Sequence, residues 1–177
     1  MGGGMKILLL GVGMQGKAAL QDLAKSTDIK QVIAADINYR DLQEYILQLE
    51  TSKAKAIKLD VRDDQAVITE MRQVDAVIIL LPQEFREKLV KLAIESGVHL
   101  IETSYSLPTY ADLGIAAKSK GLAILPECGL DPGIDKPDPA RRFMDRGRGE
   151  PREPLDSARI RTRHGTYDMD HCLTPFS

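Results

Sequence analysis

The chain has 177 residues, of which 43% are hydrophobic and 28% charged, and its formal net charge is −2 at pH 7. This length allows one full domain or one domain with an appendage, and the apolar share is sufficient for a core. The balanced charge does not indicate a nucleic-acid or membrane partner, and no apolar stretch approaches the roughly 20 residues that span a bilayer.

The first predicted element is a strand that runs into a glycine-rich turn. An apolar run at 7–10 precedes the motif Gly-x-Gly-x-x-Gly at 11–16, and a helix-like segment follows at 17–25. A second apolar run at 32–35 comes next, and Asp36 stands twenty positions after Gly16. This is the dinucleotide-binding fingerprint in its full context, whereas the glycines alone could be incidental to a plain strand–turn–helix.

Each part of the motif predicts a physical role. Gly11 allows a tight turn out of the strand, Gly13 lets the backbone approach a pyrophosphate, and Gly16 lets the helix pack closely. The N–H groups at the helix N-terminus, at Met14 and Gln15, would face the phosphates. Asp36 would accept hydrogen bonds from the ribose hydroxyls of the adenosine half.

Apolar runs and amphipathic stretches alternate as far as residue 134. The apolar runs predict six strands, at 7–10, 32–35, 56–59, 74–81, 98–101 and 122–125. Their continuous apolar character suits parallel strands that are covered on both faces. The pattern therefore predicts an α/β Rossmann fold with a doubly wound parallel sheet of about six strands in the order 3-2-1-4-5-6.

Ligands of such a sheet bind beyond the carboxyl ends of its strands. The third strand ends at Asp60 and Val61, which would flank an adenine, although Asp60 could equally be a helix N-cap. The fourth ends at Leu81 and Pro82, along the ribose, where Pro82 could equally begin a helix. The fifth is followed by Thr103, near the predicted nicotinamide, where Thr103 or Ser104 could instead cap the next helix.

The acidic residue after the second strand bears on the choice of cofactor. A carboxylate at Asp36 pairs with a free 2′-hydroxyl and repels a 2′-phosphate, which favours NAD over NADP. Arg40, four positions further on, could accept a phosphate, so NADP stays possible.

The composition changes after Asp135. From residue 136 to the end there are one Lys and eight Arg, five of the nine prolines, and only three residues that are Leu, Ile or Val. No helix or strand periodicity is visible, and such a segment buries too little apolar surface to offset its ordering entropy. We therefore predict a Rossmann domain at 1–135 and a poorly structured tail at 136–177. The tail could be a natural binding segment, or an out-of-frame or fused sequence that replaces a second domain.

Several segments together resemble the saccharopine dehydrogenase family. They are GVGMQGKAALQDLA, the ADI strand end, the GVHLIETSY run and the turn ECGLDPGI, and the resemblance covers residues 5 to about 135. It is closest to lysine 6-dehydrogenase-like and saccharopine reductase-like members. The ECGLDPG turn is its most specific element, because many unrelated enzymes share glycine loops.

The resemblance implies an NAD(P)-dependent oxidoreductase that acts on the C–N bond of a small amino-acid substrate. It also implies that the GLDPG turn lines the nicotinamide, with Glu127 and Cys128 near the substrate; the turn consists of Gly129, Leu130, Asp131, Pro132 and Gly133. In the family a second domain supplies most of the substrate pocket and the contacts of a possible homodimer. Because this chain departs from the family after Asp135, we expect cofactor binding with little or no turnover.

The residues also bear on three alternative functions. A non-catalytic NAD(H)-binding regulatory module keeps the fold, although the ECGLDPGI turn speaks against it. A short-chain dehydrogenase is excluded, because no tyrosine is followed four residues later by lysine. A nucleic-acid arm in the tail is disfavoured, because its surplus of positive charge is only about +2.

The two cysteines, Cys128 and Cys172, have no metal-ligand spacing between them. A disulfide framework and a metal site are therefore not predicted, and the cysteine usage favours a reducing, cytoplasmic location.

Overall fold

The structure is a computed structural model that describes residues 4–105 and 109–129, together with the backbone of 159–162 and 165–168. The strands are β1 (Met5–Leu10), β2 (Ile29–Asp36), β3 (Ala54–Lys58), β4 (Ala76–Ile79), β5 (His99–Glu102), β6 (Ile124–Leu125), β7 (Arg159–Thr162) and β8 (Gly165–Asp168). The α-helices are α1 (Met14–Lys25), α2 (Tyr39–Gln48), α3 (Asp64–Met71), α4 (Arg86–Ser96) and α5 (Tyr110–Ser119), and a 3-10 turn (Gln83–Phe85) leads into α4.

The first six strands form one parallel sheet in the order β3-β2-β1-β4-β5-β6. The predicted strand order is therefore confirmed, and with it the α/β Rossmann class. The order reverses between β1 and β4, and a crevice opens at this switch point beyond the carboxyl ends of the strands.

Strand β1 lies at the centre of the sheet and contributes side chains to both faces. Leu8 and Leu10 join the core on the side of α3 and α4, while Ile7 and Leu9 join the core on the side of α1 and α2. All four are almost completely buried. A strand covered on both faces needs apolar residues at every position, which is why it appears in the sequence as an unbroken apolar run.

The amphipathic stretches between the predicted strands form helices with one buried face. In α2, Leu42 is buried and Tyr45, Ile46 and Leu49 pack against the same cluster. Helix α4 ends at Gly97, whose φ of +73° is the left-handed conformation typical of a helix C-cap.

The strand boundaries differ from the sequence prediction most in the second and fourth strands, and the sixth strand is also shorter than predicted. Strand β2 occupies Ile29–Asp36, four residues more than the predicted 32–35. Strand β4 occupies Ala76–Ile79 within the predicted 74–81, because its ladder with β1 reaches only from Ile7 to Leu10. Strand β6 is limited to Ile124–Leu125, which pair with Leu100 and Ile101 of β5. Apolar residues that flank a strand extend the hydrophobic run without joining the ladder.

The tail contains one feature that its composition does not predict. Strands β7 and β8 form an antiparallel pair in which Thr162 faces Gly165. The remainder of the predicted tail lies outside the described residues, so the division at 135/136 stays a prediction. Among the helices that the structure describes, none is long and apolar enough to cross a membrane.

Candidate functional site

The turn after β1 has a backbone geometry that requires glycine at two positions. Gly11 has a φ of +88°, and a Cβ built on it would lie 2.6 Å from the Leu80 carbonyl oxygen. A Cβ on Gly16 would lie 2.2 Å from the Gly11 carbonyl oxygen. Both distances are shorter than real contacts allow, so the first turn of α1 is pressed directly onto the loop that precedes it.

Gly13 lies in a different environment, on the open side of the same loop. A Cβ added there would meet no protein atom within 4 Å, and Gly13 is the N-cap of α1 without a side-chain capping bond. The next residue, Met14, is 90% exposed. Among the described residues no side chain caps the start of α1, and the space at Gly13 is open, which is the arrangement that binds phosphate at a helix N-terminus.

Asp36 ends β2 and closes the loop from the other side. One carboxylate oxygen accepts a hydrogen bond from the Val12 backbone N–H at 2.7 Å, and the other accepts from the Asn38 N–H at 2.8 Å. A carboxylate has about four acceptor sites, so two remain for further donors. Asp36 thus fixes the glycine loop and can still accept the two hydroxyls of a ribose.

A cleft of about 320 Å³ opens next to Asp36, across the ends of β2, β3 and β4. Six residues that the sequence predicts as cofactor contacts line it together: Gly11, Asp36, Asp60, Val61, Leu81 and Pro82. Five other residues that the sequence does not predict as cofactor contacts also line this cleft, namely Ala35, Ile37, Leu59, Arg62 and Phe85. The lining is mainly apolar, as a slot for a flat aromatic base requires.

Arg62 and Phe85 form one wall of this cleft. The Arg62 guanidinium carbon lies 5.6 Å from the centre of the Phe85 ring, and Arg62 Nη1 lies 3.9 Å from an Asp60 carboxylate oxygen. Asp60 also accepts a hydrogen bond from the Arg62 N–H at 2.9 Å. Asp60 is not the N-cap of α3, since that position belongs to Asp63, which accepts from the Ala66 N–H.

A second depression, of about 460 Å³, lies on the other side of Asp36, over the start of α1. Its lining includes Gly13 and Met14 together with Lys17, Asn38 and Asp41. Asp41 accepts a hydrogen bond from the Asn38 side chain at 2.6 Å. This depression therefore combines two carboxylates with one ammonium group. Gln15 is exposed at the start of α1, and Arg40 lines neither cavity.

At the other half of the sheet, two backbone segments meet beyond the ends of β5 and β6. The Cys128 N–H donates to the Glu102 carbonyl at 2.9 Å, and the Glu127 N–H donates to the Ser104 carbonyl at 3.1 Å. Glu127 has a φ of +61°, a conformation that a non-glycine residue adopts at a cost of about 1–3 kcal/mol. Thr103 lies in this region and does not cap the next helix, because the N-cap of α5 is Thr109.

A buried ion pair lies beneath these segments. Arg86 at the start of α4 is 2% exposed and Glu102 at the end of β5 is 1% exposed. Arg86 Nε donates to Glu102 Oε2, and Arg86 Nη2 donates to Glu102 Oε1 at 2.6 Å and to the Tyr105 carbonyl at 2.5 Å. Burial lowers the pKa of Arg86, but the hydrogen bond and charge of Glu102 outweigh it and raise this pKa above its ordinary value.

Tyr110 packs against this pair from α5. The Arg86 guanidinium carbon lies 5.9 Å from the centre of its ring. The Tyr110 hydroxyl is buried without a hydrogen bond among the described residues. Burial, and then the nearby negative charge of Glu102, raise the pKa of Tyr110 well above its ordinary value.

The predicted GLDPG turn is only partly described. Gly129 follows Cys128 at the end of the described domain, whereas Leu130, Asp131, Pro132 and Gly133 lie outside the described residues. Within the part of the chain that the structure describes, no three His, Cys, Asp or Glu residues are grouped to hold a metal ion.

A glycine loop at a helix N-terminus, an acidic residue at the end of β2 and clefts at the switch point define the class of a Rossmann dinucleotide-binding domain. The family model of the saccharopine dehydrogenase NADP-binding domain matches residues 7–125. The chain therefore belongs to this family, as the sequence resemblance implies.

Relatives with known names support the same assignment. The saccharopine dehydrogenase [NADP(+), L-glutamate-forming] of Saccharomyces cerevisiae is 35% identical over 132 residues, which is 75% of this chain and 29% of that protein. The alpha-aminoadipic semialdehyde synthase of Arabidopsis thaliana is 38% identical over 114 residues, which is 64% of this chain and 10% of that protein. The chain thus spans less than a third of the length of either relative.

A solved structure agrees with the fold assignment. The apo saccharopine dehydrogenase (L-Glu forming) of Saccharomyces cerevisiae superposes with a TM-score of 0.67 at 34% identity. The match covers 75% of this chain and 29% of the solved chain.

Proposed function

We propose that this domain holds the nicotinamide dinucleotide of an oxidoreductase of the saccharopine dehydrogenase type, acting on the C–N bond of an amino acid. The observation that carries the proposal is the open glycine loop bordered by Asp36. Gly13, with Met14 and Gln15, leaves room for a pyrophosphate at a helix start that no side chain caps in the described part of the chain. Gly11 and Gly16 give the loop its shape, because neither position accommodates a Cβ.

The adenosine half of the cofactor fits the cleft next to Asp36. Asp60 would accept from the exocyclic amine of adenine, and Val61 would contact its ring. Leu81 and Pro82 line the same cleft, with Ile37 and Arg62 as further contacts. The ribose diol would then meet the two remaining acceptor sites of Asp36.

The nicotinamide half would lie over the ends of β4 to β6, near Thr103 and the turn that begins at Gly129. The turn residues Leu130, Asp131, Pro132 and Gly133 complete this proposal from the family resemblance. When bound, the cofactor supplies the hydride acceptor or donor for interconversion of an amine and an imine. The described residues of this chain contribute binding and orientation, and we assign no general base among them.

We further propose that the domain prefers NAD over NADP. The family model and the yeast relative are named for NADP. In this chain, however, Asp36 and Asp41 both line the depression beside the glycine loop, facing the single ammonium group of Lys17. A carboxylate at the ribose position accepts a hydrogen bond from the 2′-hydroxyl of NAD, whereas it would repel the negatively charged 2′-phosphate of NADP.

A fluorescence titration of the purified chain with NADH and with NADPH tests both proposals. We expect saturable NADH binding, with NADPH weaker by about tenfold, or about 1.4 kcal/mol. Asp36→Ala removes both the loop hydrogen bond and the diol acceptor, so it should weaken NADH binding by at least about tenfold.

The matched control is Asp22→Ala, which removes an exposed carboxylate from α1 that lines neither cavity. It should leave both affinities unchanged. Binding of neither nucleotide by the folded chain would refute the proposed function. Tighter binding of NADPH than of NADH would refute only the cofactor preference.

A further inference from the structure

The least expected feature of the described domain is the buried Arg86–Glu102 pair. Both side chains are almost completely buried, and no cofactor contact is assigned to either. Replacing such a pair with apolar residues is often neutral or stabilising, because the two charges lose their hydration on burial. Fold stability is therefore a weak reason for its presence, and its connections to neighbouring segments suggest another.

The pair connects three parts of the nicotinamide half. Arg86 begins α4, Glu102 ends β5, and the arginine fork reaches on to the Tyr105 carbonyl. Because the guanidinium is planar and rigid, it fixes the direction of this carbonyl as well as its distance. The segment 103–105, which follows β5, is thus held at both ends by one arginine.

The second segment is attached to the same pair through the backbone. The Glu102 carbonyl accepts the Cys128 N–H at 2.9 Å, and the adjacent Glu127 N–H reaches the Ser104 carbonyl at 3.1 Å. These two bonds bracket the left-handed conformation of Glu127. A displacement of Glu102 would therefore move residues 127 and 128 together with 103–105.

We infer that the Arg86–Glu102 pair is a positioning device for the nicotinamide half of the site, which holds 103–105 and 127–128 in the cofactor-binding arrangement. This inference rests on the proposed function for the identity of the ligand. The pair has no equivalent role at the adenosine half, where Asp36 and the glycine loop bond to each other directly.

The test compares NADH with ADP-ribose, which lacks the nicotinamide ring, on the full chain. The variant carries Arg86→Met together with Glu102→Leu, so no unpaired buried charge is left to unfold it. We expect its affinity for NADH to fall by about tenfold or more while its affinity for ADP-ribose changes by less than about twofold. A chain with Glu87→Ala and Lys91→Ala, which loses an exposed ion pair of the same helix, should match the unaltered chain for both ligands.

Amide chemical shifts of the unliganded proteins provide a second measurement. They should change at residues 103–105 and 127–128 in the apolar variant and stay unchanged at residues 11–16. Unchanged NADH affinity with unchanged chemical shifts would overturn the inference. An equal loss of affinity for NADH and for ADP-ribose would also overturn it. If the unaltered chain binds neither ligand, the proposed function fails, and the shifts alone decide whether the pair positions the two segments.

Discussion

The two halves of the proposed cofactor site are built in different ways. At the adenosine half, binding groups are main-chain N–H groups and open clefts, and Asp36 bonds directly to the Val12 N–H of the loop that it would serve. At the nicotinamide half, the partly exposed segments 103–105 and 127–128 are bonded to the buried Arg86–Glu102 pair. The adenosine half is therefore fixed by local chain geometry, whereas the nicotinamide half depends on two charges 16 residues apart in the sequence.

This difference predicts where the domain is most sensitive to substitution. Single substitutions in the buried pair beneath the nicotinamide half should act first on stability, because they leave one buried charge without its partner. Changes at the adenosine half should act first on binding, because its groups face solvent. Four substitutions sharpen this contrast.

The largest effect is expected from Glu102→Ala, which leaves the Arg86 guanidinium buried without its carboxylate. Breaking a buried pair in this way costs about 3–5 kcal/mol, a large part of the stability of an ordinary domain. Urea denaturation should show this loss as a lower midpoint with an unchanged slope. Glu87→Ala, which breaks an exposed pair of α4, should change stability by less than about 1 kcal/mol. Equal losses of stability in Glu102→Ala and Glu87→Ala would contradict the proposed dependence of the nicotinamide half on a buried charge pair.

An intermediate effect is expected within the glycine loop, where two alanine substitutions should separate stability from binding. Gly16→Ala places a Cβ 2.2 Å from the Gly11 carbonyl oxygen, so the loop must move. We expect this movement to lower the free energy of unfolding by about 1–3 kcal/mol and to abolish nucleotide binding. Gly13→Ala meets no protein atom within 4 Å and should change stability by less than about 1 kcal/mol.

The Gly13→Ala methyl group would nevertheless occupy the open space that faces the pyrophosphate. We expect NADH affinity to fall by about tenfold without a matching change in the denaturation midpoint. Full NADH affinity in Gly13→Ala would show that the cofactor does not approach this face of the loop.

The sequence predicts the adenosine half well because the information there is local. Gly11, Gly13 and Gly16 lie within six residues of one another, and the apolar runs around them define the strand and helix that give the loop its context. The sheet order follows from the repeated alternation of strand and helix. Asp36 can be placed at the edge of the glycine loop once the end of the second strand has been located, because that strand lies beside the first.

The nicotinamide half is harder to predict, because pairing across 16 residues leaves no periodic signal. Glu102 reads as one polar residue directly after the predicted fifth strand, and Arg86 reads as a charge at the start of a helix. One signal was available: Arg86 lies three and seven residues before Leu89 and Ala93, on the buried face of α4. A charge at such a position needs a buried partner, but the sequence does not say which carboxylate provides it.

The smallest effect is expected from Arg62→Ala in the adenine cleft. The guanidinium lies over the Phe85 ring, but its side chain is 69% exposed, so its contact with a bound adenine would be largely solvated. A cation–π contact at an exposed site contributes about 0.5–1 kcal/mol, so the affinity for AMP should fall only about two- to fivefold. Isothermal titration with AMP measures this directly, and Arg72→Ala, which removes an exposed charge at the end of α3, should have no effect. A fall in AMP affinity of a hundredfold or more would mean that Arg62 closes over the base and is desolvated there. The adenosine half would then also depend on a long side chain.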